Sequence, residues 1–489
     1  MITDAQYAAW LEDSTAQRVT LYRAGVRSGG SDITRRFSNK AYLNASGSSP
    51  YLAIVAGGLR MTESISLRAE AGFSAGSIEL YNYGRVYDSW LNDIWVNQPI
   101  EVLVGDIRWP EADFRTVFVG VIEDIDGTKA RNRISLILVD KFKRLDAPIT
   151  DEKMGGLAAN PETMRPKLLG EVHNLTPKLK NGNTGEYEFN AGDSEDVIEA
   201  RYEGKIRAIT KNLSVGSFTV IGAAGAGALT CSAQGVKPGG TYTNRIVPLI
   251  KYLVTECGNA LTRFTTADLD LANLAAFDSA HSQAVGLYVP DRMKVLEACH
   301  RLASSVGGQL VPSRLGLLRI LSIAFPTSST TELRPARRKA GTLQLVGETE
   351  VVGAVKIGYC KNYTVQPNLQ TTIPEDHKAL YAEEWLSVSA SDSTVIANYK
   401  LDAAVAQEDT ELQDTGEAQA EATRRLGVFK VKRRTYRYEG TPIDMLLELG
   451  QDATLFGDEY EELVAGKPGV VTSLTPDWDN FHVIVEVTV

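Results

Sequence analysis

The chain has 489 residues, with 51 Lys and Arg against 61 Asp and Glu, and a formal net charge of −10. At roughly 100–200 residues per domain, that length makes about three or four domains. Hydrophobic residues at 43% and charged residues at 23% exclude collagen, a coiled-coil rod and a disordered tail, and a chain this long buries large cores without disulfides or metal staples.

Met1 to Trp10 has no basic n-region and no apolar h-region, so no signal peptide is expected. No apolar run approaches roughly 18 residues, so no membrane span is expected. Thr3 caps a short amphipathic helix to Asp13, with Tyr7, Trp10 and Leu11 on one face. The period then changes to two: Arg18–Arg23, Ser64–Arg68 and Ser77–Asn82 alternate as strands. Asp88 is expected to cap a helix whose apolar stripe is Trp90, Leu91, Ile94 and Trp95. Strands resume at Pro99–Gly105, Phe114–Ile122 and Arg133–Val139, with the hairpin turn signal Asp124-Ile-Asp-Gly-Thr between the last two. Short strands at this spacing mean an antiparallel sandwich or barrel over residues 1–150.

Residues 151–240 are turn-rich, a β-rich insertion with long loops. Asp193–Asp196 reads as a solvated loop, and Phe218–Ile221 and Leu229–Ala233 as strands. Residues 241–330 form an α+β part. Thr243 or Asn244 caps a helix ending at Gly258, Thr266 opens a second, and Asp291 caps a third that stops at Gly307-Gly308. A hairpin, Gln309–Ser313 and Leu317–Leu321, follows. Residues 331–489 are a second β region. It opens on the polar connector Arg334–Lys339 and contains Val351–Tyr359, a helix from Thr415 to Leu426, a strand Val428–Tyr436, and a terminal strand, turn and strand.

Chemical motifs are weak. Cys231, Cys257, Cys299 and Cys360 have no CxxC spacing and read as reduced, buried hydrophobes. His173, His281, His300, His377 and His482 have no metal-ligand spacing. Cys299 and His300 are adjacent on a helix and point about 100° apart, so they cannot face one site. Gly222–Gly227 resembles a phosphate loop superficially, but the strand that follows denies it a helix N-terminus. Asp124, Asp126 and Gly127 fit a calcium loop only if Ile122 and Arg133 were acids, so a turn is expected. Glu111 and Asp113 are two apart in a loop with no second acid partner, which is poor for glycoside cleavage. Lys430, Lys432 and Arg434 would alternate on one strand face and, with Arg334–Lys339, are the candidates for polyanion contact. Asn44-Ala-Ser and Asn174-Leu-Thr match glycosylation sequons, as chance matches in a chain without a secretion signal. No cofactor or metal is expected, and no enzyme.

Several separated blocks carry a resemblance. Tyr87–Trp95, Val104–Phe114, Phe118–Ile125, Met154–Gly156, Leu169–Pro177, Asp291–Ala298 with Ser305–Leu310, Leu449–Leu455 and Gly466–Leu474 resemble, in order, tail hub proteins of long-tailed, siphovirus-like bacteriophages. The family-motif positions are Trp90, Trp95, Gly105, Asp106, Trp109, Pro110, Phe114, Gly120, Gly170, Glu171, Asn174, Gly307 and Gly308. The resemblance implies a mainly β, multi-domain chain in which two β-barrel-like hub domains, 1–150 and 331–489, flank the insertion and the α+β domain. It further implies a virion protein at the tail tip, made in the host cytoplasm. Such a protein is a homotrimeric ring adapting a sixfold tail to a threefold tip. Its neighbours are the distal tail protein, the tape-measure protein and the central fibre or spike. DNA transits the lumen without specific binding, and the ring gates its passage. The competing expectations are a hexameric distal tail protein, a carbohydrate-binding adhesin using Trp90, Trp95 and Trp109, and a cell-wall hydrolase.

Overall fold

The computed structural model describes residues 2–43, 50–67, 71–128, 132–222, 227–369 and 371–489. The sequon at Asn44, the end of the expected strand at Arg68 and residues 223–226 of the glycine-rich loop lie outside them. Strand exceeds helix, 40% to 23%, so the chain is mainly β as expected. Among the described residues the sheets are open, and none closes into the expected barrel.

Two compact units divide the chain. The first takes 1–143, 310–349 and 433–489; the second takes 144–309 and 350–432.

The first unit holds two large sheets. A nine-stranded sheet is centred on Arg18–Ser28, Pro99–Asp106, Arg115–Asp126 and Arg133–Val139. An eight-stranded sheet is centred on Asp452–Leu455, Lys467–Asp477, His482–Thr488 and Arg434–Gly440. The short strand Thr62–Ser64, from the N-terminal part of the chain, pairs with Lys467–Asp477 and so belongs to the C-terminal sheet. One hydrophobic core serves both sheets, with Tyr22 and Phe118 from one, Tyr436, Leu474 and Val485 from the other, and Trp10 of the first helix, Trp95 and Trp478 packed in beside them. Burial of such large side chains is the main stabilising term, about 1.5–3 kcal/mol each. Arg314 ties the hairpin Gly308–Pro312/Leu318–Ser322 into this unit: its Nε donates to Glu63 (2.7 Å) and its Nη1 to the Met445 carbonyl (2.6 Å).

The second unit has a five-stranded antiparallel sheet in the order Lys205–Arg207, Ser194–Tyr202, Leu229–Val236, Lys167–Leu175, Gly286–Val289. A four-stranded sheet runs from Lys178–Asn181 to Ile209–Asn212. The helices Ile246–Glu256, Leu271–Ala280 and Val295–Ser304 follow. A three-stranded sheet, Leu386–Ser391, Ala354–Tyr359 and Gln407–Asp409, carries the helix Thr415–Phe429.

Local signals succeed where a cap and a period agree. The first helix spans Asp4–Glu12 with a Thr3–Gln6 capping box and buries Tyr7, Trp10 and Leu11. Elsewhere the structure corrects the expectation. Asp88–Asn92 is a short 3-10 turn led by Tyr87, not a helix capped by Asp88; Trp90 and Trp95 are buried while Leu91 and Ile94 are exposed, so no single stripe exists. Ser194–Asp196 is strand rather than solvated loop, because Ser194 is buried and its hydroxyl accepts from Asn190. The helix at Ile246 is preceded by Arg245, while Thr243 accepts the Arg245 N–H one step earlier. Thr266–Asp268 is a 3-10 turn capped by Thr265, and Asp270 caps the α-helix after it. Lys294, not Asp291, precedes the third helix; Asp291 accepts from its neighbour Arg292.

The expected strand from Val428 does not form. The Ala418, Ala422 and Leu426 period carries the helix through Gly427 to Phe429, and Lys430 N–H still bonds the Leu426 carbonyl. The strand starts only at Arg434, so Lys430, Lys432 and Arg434 do not share a strand face. Arg334–Lys339 is no free connector either. Arg338 is buried and donates to the Phe456 carbonyl (2.6 Å) and Glu459 (3.0 Å), and Arg337 pairs with Asp444 (2.5 Å).

Candidate functional site

A cleft of about 380 Å³ lies beside the strand Lys167–Leu175 in the second unit, its wall set with His173, Asn174, Glu199, Arg201 and Asn362. Gly170 lets that strand pass close to its neighbour: it has φ +68°, and a Cβ there would lie 2.0 Å from the Val285 carbonyl oxygen. Beyond it, Glu171 accepts from His173 Nε2 (3.2 Å) and from Gln234 Nε2 (2.6 Å). The His173 bond holds the Glu171 carboxyl below its ordinary range, with Gln234 adding to it against the effect of burial.

Asn174 takes a left-handed conformation, φ +49°, which Asn tolerates better than most residues. Its Nδ2 donates to Asn362 Oδ1 (2.8 Å) and to the Thr364 carbonyl (2.8 Å). Asn362 Nδ2 in turn donates to the Tyr381 and Glu383 carbonyls, both at 3.0 Å. The asparagine pair therefore ties the loop at Thr364 and the C-terminal end of the helix Glu375–Ala382 to the strand. Opposite, Arg201 makes a two-pronged pair with Glu199 (2.8 and 2.7 Å) and donates to the Gly204 carbonyl. Cys360 also lines the cleft, and burial pushes its thiol up, away from thiolate chemistry. The cleft's polar side chains thus bond mainly to other parts of the fold.

The first unit gathers a different set of the family-motif positions. Asp106 is fully buried and accepts from Trp10 Nε1 (3.1 Å), Gln17 N–H (2.9 Å), and Arg108 through Nε (2.6 Å) and N–H (3.0 Å). Burial alone would raise its carboxyl, but the Arg108, Trp10 and Gln17 hydrogen bonds take it well below the usual range. Trp109 is half-buried, its ring 4.8 Å from that of Trp10, and Tyr42 donates to its carbonyl. Pro110 leads the turn Glu111–Asp113. Phe114 is buried and lies where a Cβ on Gly105 would be, 2.8 Å away, as Phe118 does for Gly120. Trp95 donates its indole N–H to the Trp90 carbonyl (2.7 Å), and the Arg35 guanidinium lies 4.5 Å over Trp90. The third helix ends at Ser304, short of the expected stop; Gly307 lies in the turn after it at φ +70°, and Gly308 starts a strand.

The motif positions therefore fall in separate places. Asn174 alone among them lines the cleft, with Glu171 behind His173. Nothing in the sequence points to Arg201 and Asn362 in its wall, and Cys360 and His377, which carry no motif spacing, also line it. The available signal was slight: Asn174 and Cys360 both have positive φ, which a sequence discloses only for glycine. Of the other candidates, Glu111 accepts from Arg23 Nη2 (2.6 Å) and Tyr51, and Asp113 accepts from Ile2 N–H. Cys299 is fully buried, and burial pushes its thiol up. Asp126 accepts from the Thr128 N–H and hydroxyl, as a turn residue does. Among the described residues no group of three or more His, Cys, Asp or Glu could hold a metal ion, and no helix is long and apolar enough to cross a membrane.

No protein-family model and no curated protein sequence matches the chain. Solved structures similar to it include a tail protein from Neisseria meningitidis MC58, at 10% identity over 96% of each chain and a TM-score of 0.41. A second is the 43 kDa tail protein of prophage MuSo2 from Shewanella oneidensis, at 12% identity over 96% of this chain and 98% of that one, TM-score 0.41. A third is a chain in the virion of a native gene transfer agent particle, at 11% identity over 71% and 91%, TM-score 0.43.

Proposed function

We propose that the chain is a structural component of a phage tail, the subunit of a ring-shaped hub at the tail tip. The reading starts from the ordered sequence blocks that resemble tail hubs. The observation that carries it further is the pairing of Thr62–Ser64 with Lys467–Asp477 over one shared core. Each chain thereby presents two large β modules as one body. Three copies would offer six such modules, which is what a threefold tip needs to meet a sixfold tail. The barrel-like form of these modules, the trimer, and contacts to a distal tail protein, a tape-measure protein and a fibre or spike belong to this proposal.

A non-catalytic role fits the side chains that looked most like chemistry. Asp106, Glu111, Asp113 and Glu171 all accept hydrogen bonds from the fold itself. The adhesin reading loses Trp90 and Trp95 as sugar platforms, since both are buried. DNA would pass a ring with a net charge of −10 per chain by repulsion rather than by binding.

The test is the mass of the assembled species and the symmetry of the labelled tail tip. Three times the 53.2 kDa chain supports the hub. Six copies favours the distal tail protein, and a lumen lined by Lys and Arg overturns the repulsion idea.

A further inference from the structure

A sheet edge exposes unpaired N–H and C=O groups, and proteins usually guard it with lysines, bulges or short strands. Most edges here are guarded. Lys178–Asn181 and Lys205–Arg207 each carry two basic residues. Gln344–Glu348 and Val55–Gly57 are broken by register shifts. Tyr42–Leu43, Glu332–Leu333 and Gln407–Asp409 are only two or three residues long, and Gly286–Val289 is buried.

Leu386–Ser391 differs. It pairs on one side only, with Ala354–Tyr359, over six residues in unbroken register, and it contains no charge and no proline. The Asp392 N–H bonds the Gly353 carbonyl (2.9 Å), which fixes the phase of the ladder. Residues 386, 388 and 390 bond inward, so Ser387, Ser389 and Ser391 turn their backbone groups outward. All three serines are exposed. One outward group, the Ser389 carbonyl, accepts from Gln419 Nε2 (3.1 Å).

The surroundings of this edge are acidic. Glu383 and Glu384 precede the strand and Asp392 follows it; residues 375–417 hold eleven acidic residues against Lys378 and Lys400, of which Glu375, Glu408 and Glu411 pair with Lys378, Arg425 and Arg301. Lys361 and Lys430 meet Glu384 (3.5 Å) and Asp392 (3.2 Å), but Asp376, Glu383 and Asp402 are exposed. We propose that Leu386–Ser391 receives an extended, basic segment of a partner protein by strand addition. The outward serine amides and carbonyls supply the ladder, and the acids around them select lysine- or arginine-bearing strands over acidic ones. The proposal stands apart from the hub reading, because it concerns one edge of the second unit.

The experiment uses the full chain and three labelled peptides: Val/Thr hexamers flanked by two lysines at each end, the same hexamers flanked by glutamates, and a lysine-flanked version with a central proline. Fluorescence anisotropy should show binding of the first peptide only, weaker by about tenfold or more at high salt. Amide exchange at Ser387, Ser389 and Ser391 should slow in that complex. Ser389→Pro removes an outward N–H without breaking the inner ladder and should abolish binding. Glu383→Lys, at an exposed site, should weaken it with the fold intact by circular dichroism, so a misfolded proline variant leaves the proposal exposed to test. Equal binding of all three peptides, no binding of any, or self-association of the chain through this edge would overturn it.

Discussion

The indole N–H of Trp10 donates to the carboxylate of Asp106 at 3.1 Å, joining the first helix to the end of the strand Pro99–Asp106. The same carboxylate holds Arg108 and the Gln17 amide, so one buried acid organises the entry of the chain into its first sheet. Asp106→Asn keeps the shape but loses the charge and turns one acceptor into a donor. A cost of about 2–3 kcal/mol is expected in urea unfolding, because hydrogen bonds to a buried charged group are among the stronger ones. The pH dependence carries the sign. The folded carboxyl titrates below its ordinary range, so its contribution is present above about pH 4 and is lost as acid approaches the folded value. The wild type should lose stability below about pH 4, and the Asn variant should lose less over that window.

Asp444 has the opposite sign. It is fully buried beside Arg337 and Tyr438, and burial pushes its carboxyl up to about 6 against the pull of Arg337. The folded state holds the proton more tightly than the unfolded chain, so this group's contribution falls as pH rises from about 4 to about 6 and is flat above. Asp444→Asn should remove that slope, worth about 3 kcal/mol across the window. Thermal melts at pH 4, 5, 6 and 7 check it: an unchanged slope in the variant refutes the assignment.

Backbone geometry makes a prediction that side-chain chemistry does not. Gly170→Ala places a methyl 2.0 Å from the Val285 carbonyl at φ +68°, where nothing in the ladder can give way cheaply. A loss of about 3 kcal/mol or more, or failure to fold, is expected. Gly182→Ala meets nothing within 4 Å and should be close to neutral, so chemical denaturation of the pair separates steric strain from the general cost of losing glycine.

These positions show what a sequence discloses and what it withholds. Thr3 with Gln6, and the alternation at Arg18 and Pro99, are local signals, and the fold follows them. The strand expected at Val428 failed because the same residues extend a helix whose buried face, Ala418, Ala422 and Leu426, sets the period. The pairing of Ser64 with Ser473 leaves no mark in either segment, since a three-residue strand has too few residues to declare its partner. The cleft was illegible for a related reason. Asn174 and Asn362 are 188 residues apart, and nothing in either segment marks the other as its partner until the fold brings them to 2.8 Å.

That pair supports the last prediction. Asn174 does two things at once: it holds a left-handed backbone and donates twice, to Asn362 and to the Thr364 carbonyl. Substitutions separate the two. Asn174→Gly keeps the backbone conformation and removes both donations, at about 1–2 kcal/mol. Asn174→Ala removes them and adds left-handed strain, about 1 kcal/mol more. The expected order of urea midpoints is therefore wild type, Gly, Ala. Amide exchange at Thr364 should quicken in both variants, because its N–H bonds an Asn362 side chain that has lost its anchor. A glycine variant less stable than the alanine variant would show that the left-handed turn is not what Asn174 is there to hold.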